Sequence, residues 1–314
     1  MEAVGSRPPG PGGGFWTLRR REELEFYLCV SPWIVGFVLF TAGPMIASLG
    51  ISLADWKLIA PPFWVGLQNY RDIFTDDDLF VKALVNTAYY TGASVPLRLV
   101  VAFAVASLLN VKIPGQPFFR TVFFLPSILS GVAVAIVFIW IFDPNYGILN
   151  QALALARIRG PQWLTDPNWA MPALILQGLW GGIGGLMVIY LAGLQGIPQH
   201  LYEAAEVDGA DRWARLRHIT VPLMSPVIFF TLVLGVVGSF QVFTSSFVMT
   251  RGGPNYATFT YVLYLYAKAF EQFKMGYAAA LAWVLFLLIV ALTYLQFRLG
   301  RRWVYYEAPT DGRR

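Results

Sequence analysis

The sequence predicts an all-α membrane protein with six transmembrane helices. Three observations carry that prediction. Charged residues make up 13% of the chain and hydrophobic ones 57%, where a soluble domain carries roughly 25% charge. Apolar runs of about 20 residues recur along the chain, the helix length that a hydrocarbon core of ~30 Å demands. Such a run must satisfy its own backbone polar groups in hydrocarbon, which a helix does. The net charge of +5 fits cytoplasmic loops rich in Lys and Arg rather than nucleic-acid binding. The single cysteine, Cys29, excludes an intramolecular disulfide and a cysteine-built structural metal site.

The Pro/Gly-rich start, Met1–Gly14, reads as a disordered tail that continues to about residue 25. The first apolar run, Phe26–Leu53, is too long for a signal-peptide core and has no small-residue cleavage site after it. It is a retained span, bent near Pro32 or Gly43–Pro44. A polar, aromatic segment follows, with Asp76–Asp78 expected as a solvated external loop. The second span is Asn86–Leu109, and a short basic turn with Lys112 leads to the third, Phe119–Phe142. A loop over Asp143–Asn168 precedes the fourth span, Ala170–Leu194. The fifth is Leu223–Val248, a second long loop covers Thr250–Lys274, and the last span is Tyr277–Phe297. The domain division is therefore a tail (1–25), a six-span domain (26–298) containing a cytoplasmic loop at 197–222, and a C-terminal tail (299–314).

Positive charge sets the orientation. Segments on the N-terminal side carry 14 Lys and Arg, including Arg19–Arg21, Arg212, Arg215 and Arg217, against 8 on the opposite side. Both termini and the 197–222 loop are thus expected in the cytoplasm. Arg98, inside the second span, is left unassigned and lies toward a membrane edge on this reading.

The cytoplasmic stretch Leu201–Pro222 places seven charged residues between two apolar spans. Pro198 suits a helix start, and Ala204 and Ala205 favour helix over Leu201–Val207. Gly209 suits the left-handed residue that ends one helix. Asp211 starts the next and pairs with Arg215 at i,i+4. Trp213, Leu216 and Ile219 recur on one face, and Pro222 closes the segment. The prediction is a helix–turn–helix; by pattern alone it serves either as an interfacial loop or as a docking site for another protein.

The residues of that stretch decide between the two. E-A-A, D-G-A and I-T-V-P (Glu203, Ala204, Ala205, Asp208, Gly209, Ala210, Ile219, Pro222) resemble the signature loop, or EAA motif, of integral-membrane permeases of bacterial ABC importers. Phe63–Tyr70, Trp140–Asn150, Thr250–Pro254, Met275–Ala280 and Trp303–Glu307 are similar to the sugar-importing group, maltose- and lactose-type first permeases above all. A short first loop departs from the maltose-type protein, which has extra N-terminal spans and a large periplasmic insertion. The resemblance implies a MetI-like permease fold with cytoplasmic coupling helices, in a multi-pass protein of the bacterial cell membrane. It implies a second homologous permease as heterodimer partner, two ABC ATPase subunits that bind the ATP, and an extracytoplasmic solute-binding protein. Trp213 and Leu216 would join the motif in an apolar docking face, and Glu203 would offer it a charge contact. No phosphate-binding G-x-x-x-x-G-K-[ST] loop occurs in the chain, so ATP hydrolysis is assigned to the partner. No cofactor, metal ligand set, catalytic group or nucleic-acid site is expected.

Polar residues and helix breaks inside spans mark pathways. Ser239, Gln241, Ser245 and Ser246 in the fifth span cannot all face lipid; Phe240 and Phe243 offer ring faces to a sugar, or else simply pack. Similarity to the maltose-type permease places Ser127, Gly131, Ser239 and Gln241 near the solute. The fourth-span glycines Gly178, Gly181, Gly182 and Gly185 either pack helices closely or widen the pocket. The fourth and fifth spans hold no cation, which favours a neutral di- or oligosaccharide over a phosphorylated solute such as glycerol phosphate. A secondary transporter would need buried acids in its spans, and none is present; a membrane enzyme would need a convergent catalytic set, and none is visible.

Overall fold

The computed structural model describes residues 18–111 and 114–305. Most of the expected N-terminal tail, the basic turn at Lys112 and the end of the C-terminal tail lie outside the described residues. Helix α1 begins at Leu18, so residues 18–25, expected as tail, are helical. Five helical runs are long and apolar enough to cross a membrane: Glu22–Ser52, Asp78–Leu109, Pro167–Gln195, Arg212–Phe240 and Met275–Gly300. A sixth segment, Gln116–Ile128 plus Gly131–Ile141, is bent by 102°.

The first run joins α1 (Leu18–Phe37) to α2 (Gly43–Ser52) through a widened π turn at Val38–Ala42. That turn sits where Gly43–Pro44 was expected to bend the helix. α1 and the π turn after it stand almost wholly exposed, with Trp33 at 69% and Phe40 at 81%. α2 packs along the last span, and Trp283 Nε1 donates to Ser48 Oγ at 3.2 Å. A short hairpin (β1 Ala54–Asp55, β2 Phe63–Trp64) and α3 (Gln68–Thr75) lead from α2 to the next span.

Helix α4 (Asp78–Leu109) is the central element. It packs against α8 (Pro167–Gln195) and α11 (Val221–Phe240), and it contributes to three hydrophobic clusters spread along its length. Its C-terminal end is capped by side chains, Gln116 Nε2 and Arg120 Nη2 both donating to the Leu109 carbonyl. The third span is not a continuous helix. α5 (Gln116–Phe124) passes through a 3₁₀ turn at Leu125–Ile128 before α6 (Gly131–Ile141) sets off in another direction. Pro126 explains the break, since it cannot donate to the helical ladder. Both long loops also contain helix. α7 (Ile148–Leu155) lies in the first, and α12 (Tyr261–Tyr266) with a π turn at Ala267–Glu271 lies in the second. α13 (Met275–Gly300) is the last span.

The expectation of a solvated Asp76–Asp78 loop fails at Asp77. This residue N-caps α4 by accepting from Phe80 N–H at 3.1 Å. Its other carboxylate oxygen accepts from the hydroxyls of Tyr264 and Tyr277 and lies 3.9 Å from Lys268 Nζ. Burial alone would raise the Asp77 carboxyl, but the Tyr264, Tyr277 and Phe80 hydrogen bonds and the Lys268 charge outweigh it and hold the group below its ordinary 3.8. Burial likewise depresses the Lys268 ammonium, with Asp77 opposing. The cluster ties the start of α4 to α12 and α13 from sequence distances no local pattern reveals. Nearby, Asn86 Nδ2 donates to the carbonyls of Tyr256 and Phe259, and Thr87 Oγ1 accepts from Tyr261 N–H.

Replacing Asp77 by Asn should destabilise the protein by about 2–4 kcal/mol at neutral pH, because two charge-assisted hydrogen bonds are weakened. A carboxyl depressed in the folded state stabilises it above the unfolded value of 3.8 and loses that contribution as pH falls through the folded value. Thermal melts of wild type and Asp77→Asn in detergent should therefore differ at pH 7 and converge as the pH drops below about 3.8.

Candidate functional site

Two regions hold the candidate functional residues: the elbow at 197–222 and a set of interrupted helices among the spans. The elbow forms as the sequence predicts. α9 (Gln199–Val207) starts after Pro198 and ends in a Schellman turn. Gly209 takes φ +76°, its N–H donates to Glu206 O at 3.0 Å, and Ala210 N–H donates to Ala205 O at 2.8 Å. A side chain at position 209 would meet open space, so the demand there is conformational rather than steric.

Asp211 then N-caps α10 (Arg212–Arg215), its carboxylate accepting from Ala214 N–H at 2.6 Å. That use displaces the expected Asp211–Arg215 pair. Arg215 instead reaches back across the turn to Glu206 at 3.2 Å. Tyr202 and Thr220 share a hydroxyl hydrogen bond of 2.9 Å, tying α9 to the base of the next span. These two braces, Glu206–Arg215 and Tyr202–Thr220, escaped sequence reasoning because their partners, 9 and 18 residues apart, lie on opposite sides of the turn at Gly209, which ends the helical repeat.

Pro222 does not close the segment. α10 runs through a π turn at Leu216–Thr220 into α11, so Arg212–Phe240 forms one helical run. The wide turn absorbs the missing proline N–H, a familiar origin of such bulges. It also breaks the 3.6-residue period, so the expected apolar stripe divides. Trp213 is 75% exposed while Leu216 and Ile219 are half-buried, and Ile219 lines a cavity of about 310 Å³ with Leu201, Pro222 and Tyr305. The outward face consists of Glu203, Ala204, Val207, Asp208, Gly209 and Trp213, with Ala205 and Ala210 half-buried. Among the described residues no cluster of three His, Cys, Asp or Glu could hold a metal.

Within the membrane, two helix breaks face each other. Ser127 and Gly131 flank the α5–α6 bend, with Ser127 Oγ donating to the Phe124 carbonyl at 2.6 Å. A Cβ on Gly131 would lie 3.7 Å from Thr244 Cγ2, just beyond the end of α11, where Gln241 leaves the helix exposed. Non-helical backbone at membrane depth is tolerated only where it is buried in protein or lines a water-filled cavity. Ser245 donates to Gln177 Oε1 of α8 at 2.7 Å, which pins the second break. Phe240 and Phe243 are not presented to a solute. Phe240 is buried in the core, and Phe243 stacks on Phe247 at 5.2 Å and packs on Tyr266.

The fourth-span glycines serve three different faces. Gly184 lets α8 approach the backbone of Phe123 and Phe124, while Gly181 and Gly185 look onto open space. Gly178 and Gly182, one turn apart, meet Arg98. A Cβ at Gly178 would fall 2.3 Å from Arg98 Nη2 and 2.6 Å from the Tyr90 hydroxyl; one at Gly182 would fall 3.0 Å from Arg98 Cδ. Arg98 Nη2 donates to Tyr90 Oη at 2.7 Å. Arg98, Gly182 and the buried Ser239 line a common cavity of about 230 Å³. The structure thus gathers Gly178, Gly182 and Ser239 around one cation. Ser127, Gly131 and Gln241 lie at the breaks, and Gly181 and Gly185 on the open face of α8. Arg98 is the functional candidate that the sequence reading left unassigned; it falls at the centre of the expected span Asn86–Leu109, and what the sequence could not supply is the pair of α8 glycines that face it.

Residues 98–305 match the family described as binding-protein-dependent transport system inner membrane component. The chain belongs to that family. The permease is 41% identical to the probable ABC transporter permease protein YesP of Bacillus subtilis over 93% of this chain and 95% of that protein. It is 34% identical to the lactose transport system permease protein LacF of Rhizobium radiobacter, covering 91% and 97%. In fold it matches a chain of the bacterial alginate ABC transporter crystallised with an alginate pentasaccharide-bound periplasmic protein. There the TM-score is 0.77, with 24% identity over 90% of this chain and 96% of that one. The permease is accordingly a multi-pass membrane transport subunit and not an enzyme, and its family works with an ATPase and a solute-binding protein.

Gly178→Val should displace the guanidinium and the Tyr90 hydroxyl together. Solute uptake in proteoliposomes should fall by an order of magnitude or more, while the permease still elutes with its partners in gel filtration. Gly181→Ala, which enters open space, should leave uptake within about twofold.

Proposed function

We propose that this permease forms half of the translocation pathway of a sugar importer, paired with a second, homologous permease and driven by two ATPase subunits that bind the ATP. The solute reaches it from an extracytoplasmic binding protein. A di- or oligosaccharide is the cargo best supported, because relatives across most of the chain are named as lactose, multiple-sugar and trehalose/maltose permeases. The charge bias of the loops supports cytoplasmic termini and a cytoplasmic elbow.

One observation carries the mechanism. The elbow that presents Glu203, Ala204, Asp208, Gly209 and Trp213 is braced onto a helical run that begins at Arg212 and ends at Phe240, beside Ser239 and Gln241. An ATPase cleft closing on α9 would therefore move the pathway end of α11 without an intervening joint. Val207 and Trp213, at 89% and 75% exposure, supply the apolar contact that a cytoplasmic loop would otherwise bury. Glu203, held at 2.9 Å by Gln199 Nε2, supplies the charge. The two helix breaks give the pathway polar backbone at membrane depth, as in transporters generally.

Trp213→Ala should weaken ATPase association, seen as loss of the ATPase on affinity purification through the permease, by roughly tenfold or more for a buried aromatic anchor. Gly209→Val forces a β-branched residue to φ +76° and should uncouple the system, leaving basal ATP hydrolysis but abolishing its stimulation by solute-loaded binding protein. Normal uptake in Gly209→Val would refute the elbow as the drive point.

A further inference from the structure

We propose that Arg98 receives a negatively charged group of the solute, so that the cargo is an acidic sugar carrying a carboxylate. This rests on the sugar-importer reading and narrows its substrate class.

Position comes first. Arg98 lies 11 residues before Leu109, the cytoplasmic end of α4. At 1.5 Å per residue that is about 16 Å, well inside an apolar run long enough to span a hydrocarbon core of ~30 Å. Arg120, by comparison, caps the Leu109 carbonyl at the end of α4.

Its bonding is incomplete. A guanidinium has five N–H donors. Nη2 donates to the neutral Tyr90 hydroxyl at 2.7 Å, while Nε is buried without a partner. The Tyr90 ring lies 5.8 Å away. Among the described residues no carboxylate pairs with Arg98. A charged residue at this depth ordinarily pairs or faces a water-filled route, and marks a functional path.

The surroundings are shaped for the side chain rather than against it. Gly178 and Gly182 clear one face of α8 for its tip and stem. The head then opens onto the cavity of about 230 Å³ shared with Gly182, Gly235 and Ser239. That volume is below the range of whole-ligand pockets, roughly 300–1,000 Å³, so it takes the acidic portion of a solute whose remainder extends outward. A carboxylate fits one guanidinium by planar, bidentate bonding. A phosphate dianion would call for a second cation, and Arg98 stands alone at this level among the described residues. The expectation of a neutral cargo rested on the fourth and fifth spans; the second span supplies the cation.

The test uses the complete transporter with its binding protein in proteoliposomes, offered digalacturonate, its uncharged dimethyl ester, and maltose. Wild type should take up digalacturonate in preference to the ester. Arg98→Gln should lower the ratio of digalacturonate to ester uptake at least tenfold, and Arg98→Lys should restore part of it. An unchanged ratio in Arg98→Gln, with both uptakes falling together, overturns the proposal and makes Arg98 a clamp between helices or the counter-charge of an acid on the partner permease. Arg98→Lys guards against misfolding: if it retains uptake but shows the ester preferred, the proposal also fails. Wild type that moves maltose or the ester but not digalacturonate overturns the proposal and leaves the sugar reading intact. Wild type that moves none of the three overturns both.

Discussion

Helix α4 can carry a guanidinium within an apolar span only because α8 offers it two glycines. The cost of Arg at a helix centre is about 2.5–3.5 kcal/mol on the mildest scale and far higher on others. Any larger side chain at positions 178 or 182 would drive the charge toward lipid. The α4–α8 contact is thus set by an electrostatic requirement as much as by packing, and the rest of the bundle is built outward from it. α11 closes the third side of the cavity, and the external cluster at Asp77 fixes the depth at which α4 enters.

The Asp77 cluster and the elbow solve similar problems with different means. At Asp77, a half-exposed loop is stitched to α12 and α13 by a buried carboxylate whose hydrogen bonds outweigh its desolvation. At the elbow, the backbone does most of the work through the Schellman turn, while the exposed Glu206–Arg215 pair contributes little by itself. The elbow's rigidity therefore comes from Gly209 and the Tyr202–Thr220 hydroxyl bond more than from charge.

Span number, span order and the two-helix elbow could be read from the sequence, because bilayer thickness and Gly209 impose local patterns. The interruptions were less legible. The bend at Pro126 and the end of α11 at Phe240 lie inside segments apolar enough on average to read as single spans, so hydropathy marks no boundary there. Only the disturbance before Pro44 was anticipated, as a bend, and it takes the form of a π turn. Prolines signalled disturbance without saying whether the helix would stop, bend or widen; Pro222 was read as a stop and proved a bulge. Arg98 was visible but uninterpretable until α8 was seen to turn its glycines toward it. Tyr90 lies two turns earlier on the same helix, but Gly178 and Gly182 lie 80 and 84 residues further along the chain, beyond the reach of any periodicity.

The π turn at Leu216–Thr220 has a further consequence. By carrying the chain past Pro222 without interrupting the helix, it leaves the run from Arg212 to Phe240 about 43 Å long at 1.5 Å per residue. Under the proposed mechanism, a rotation of a few degrees about the middle of that run would carry each end by an ångström or more in opposite senses, so that the state of the ATPase at the elbow and the exposure of Ser239 would share one coordinate. Timing between them need not be negotiated along a chain of contacts; it is a matter of geometry.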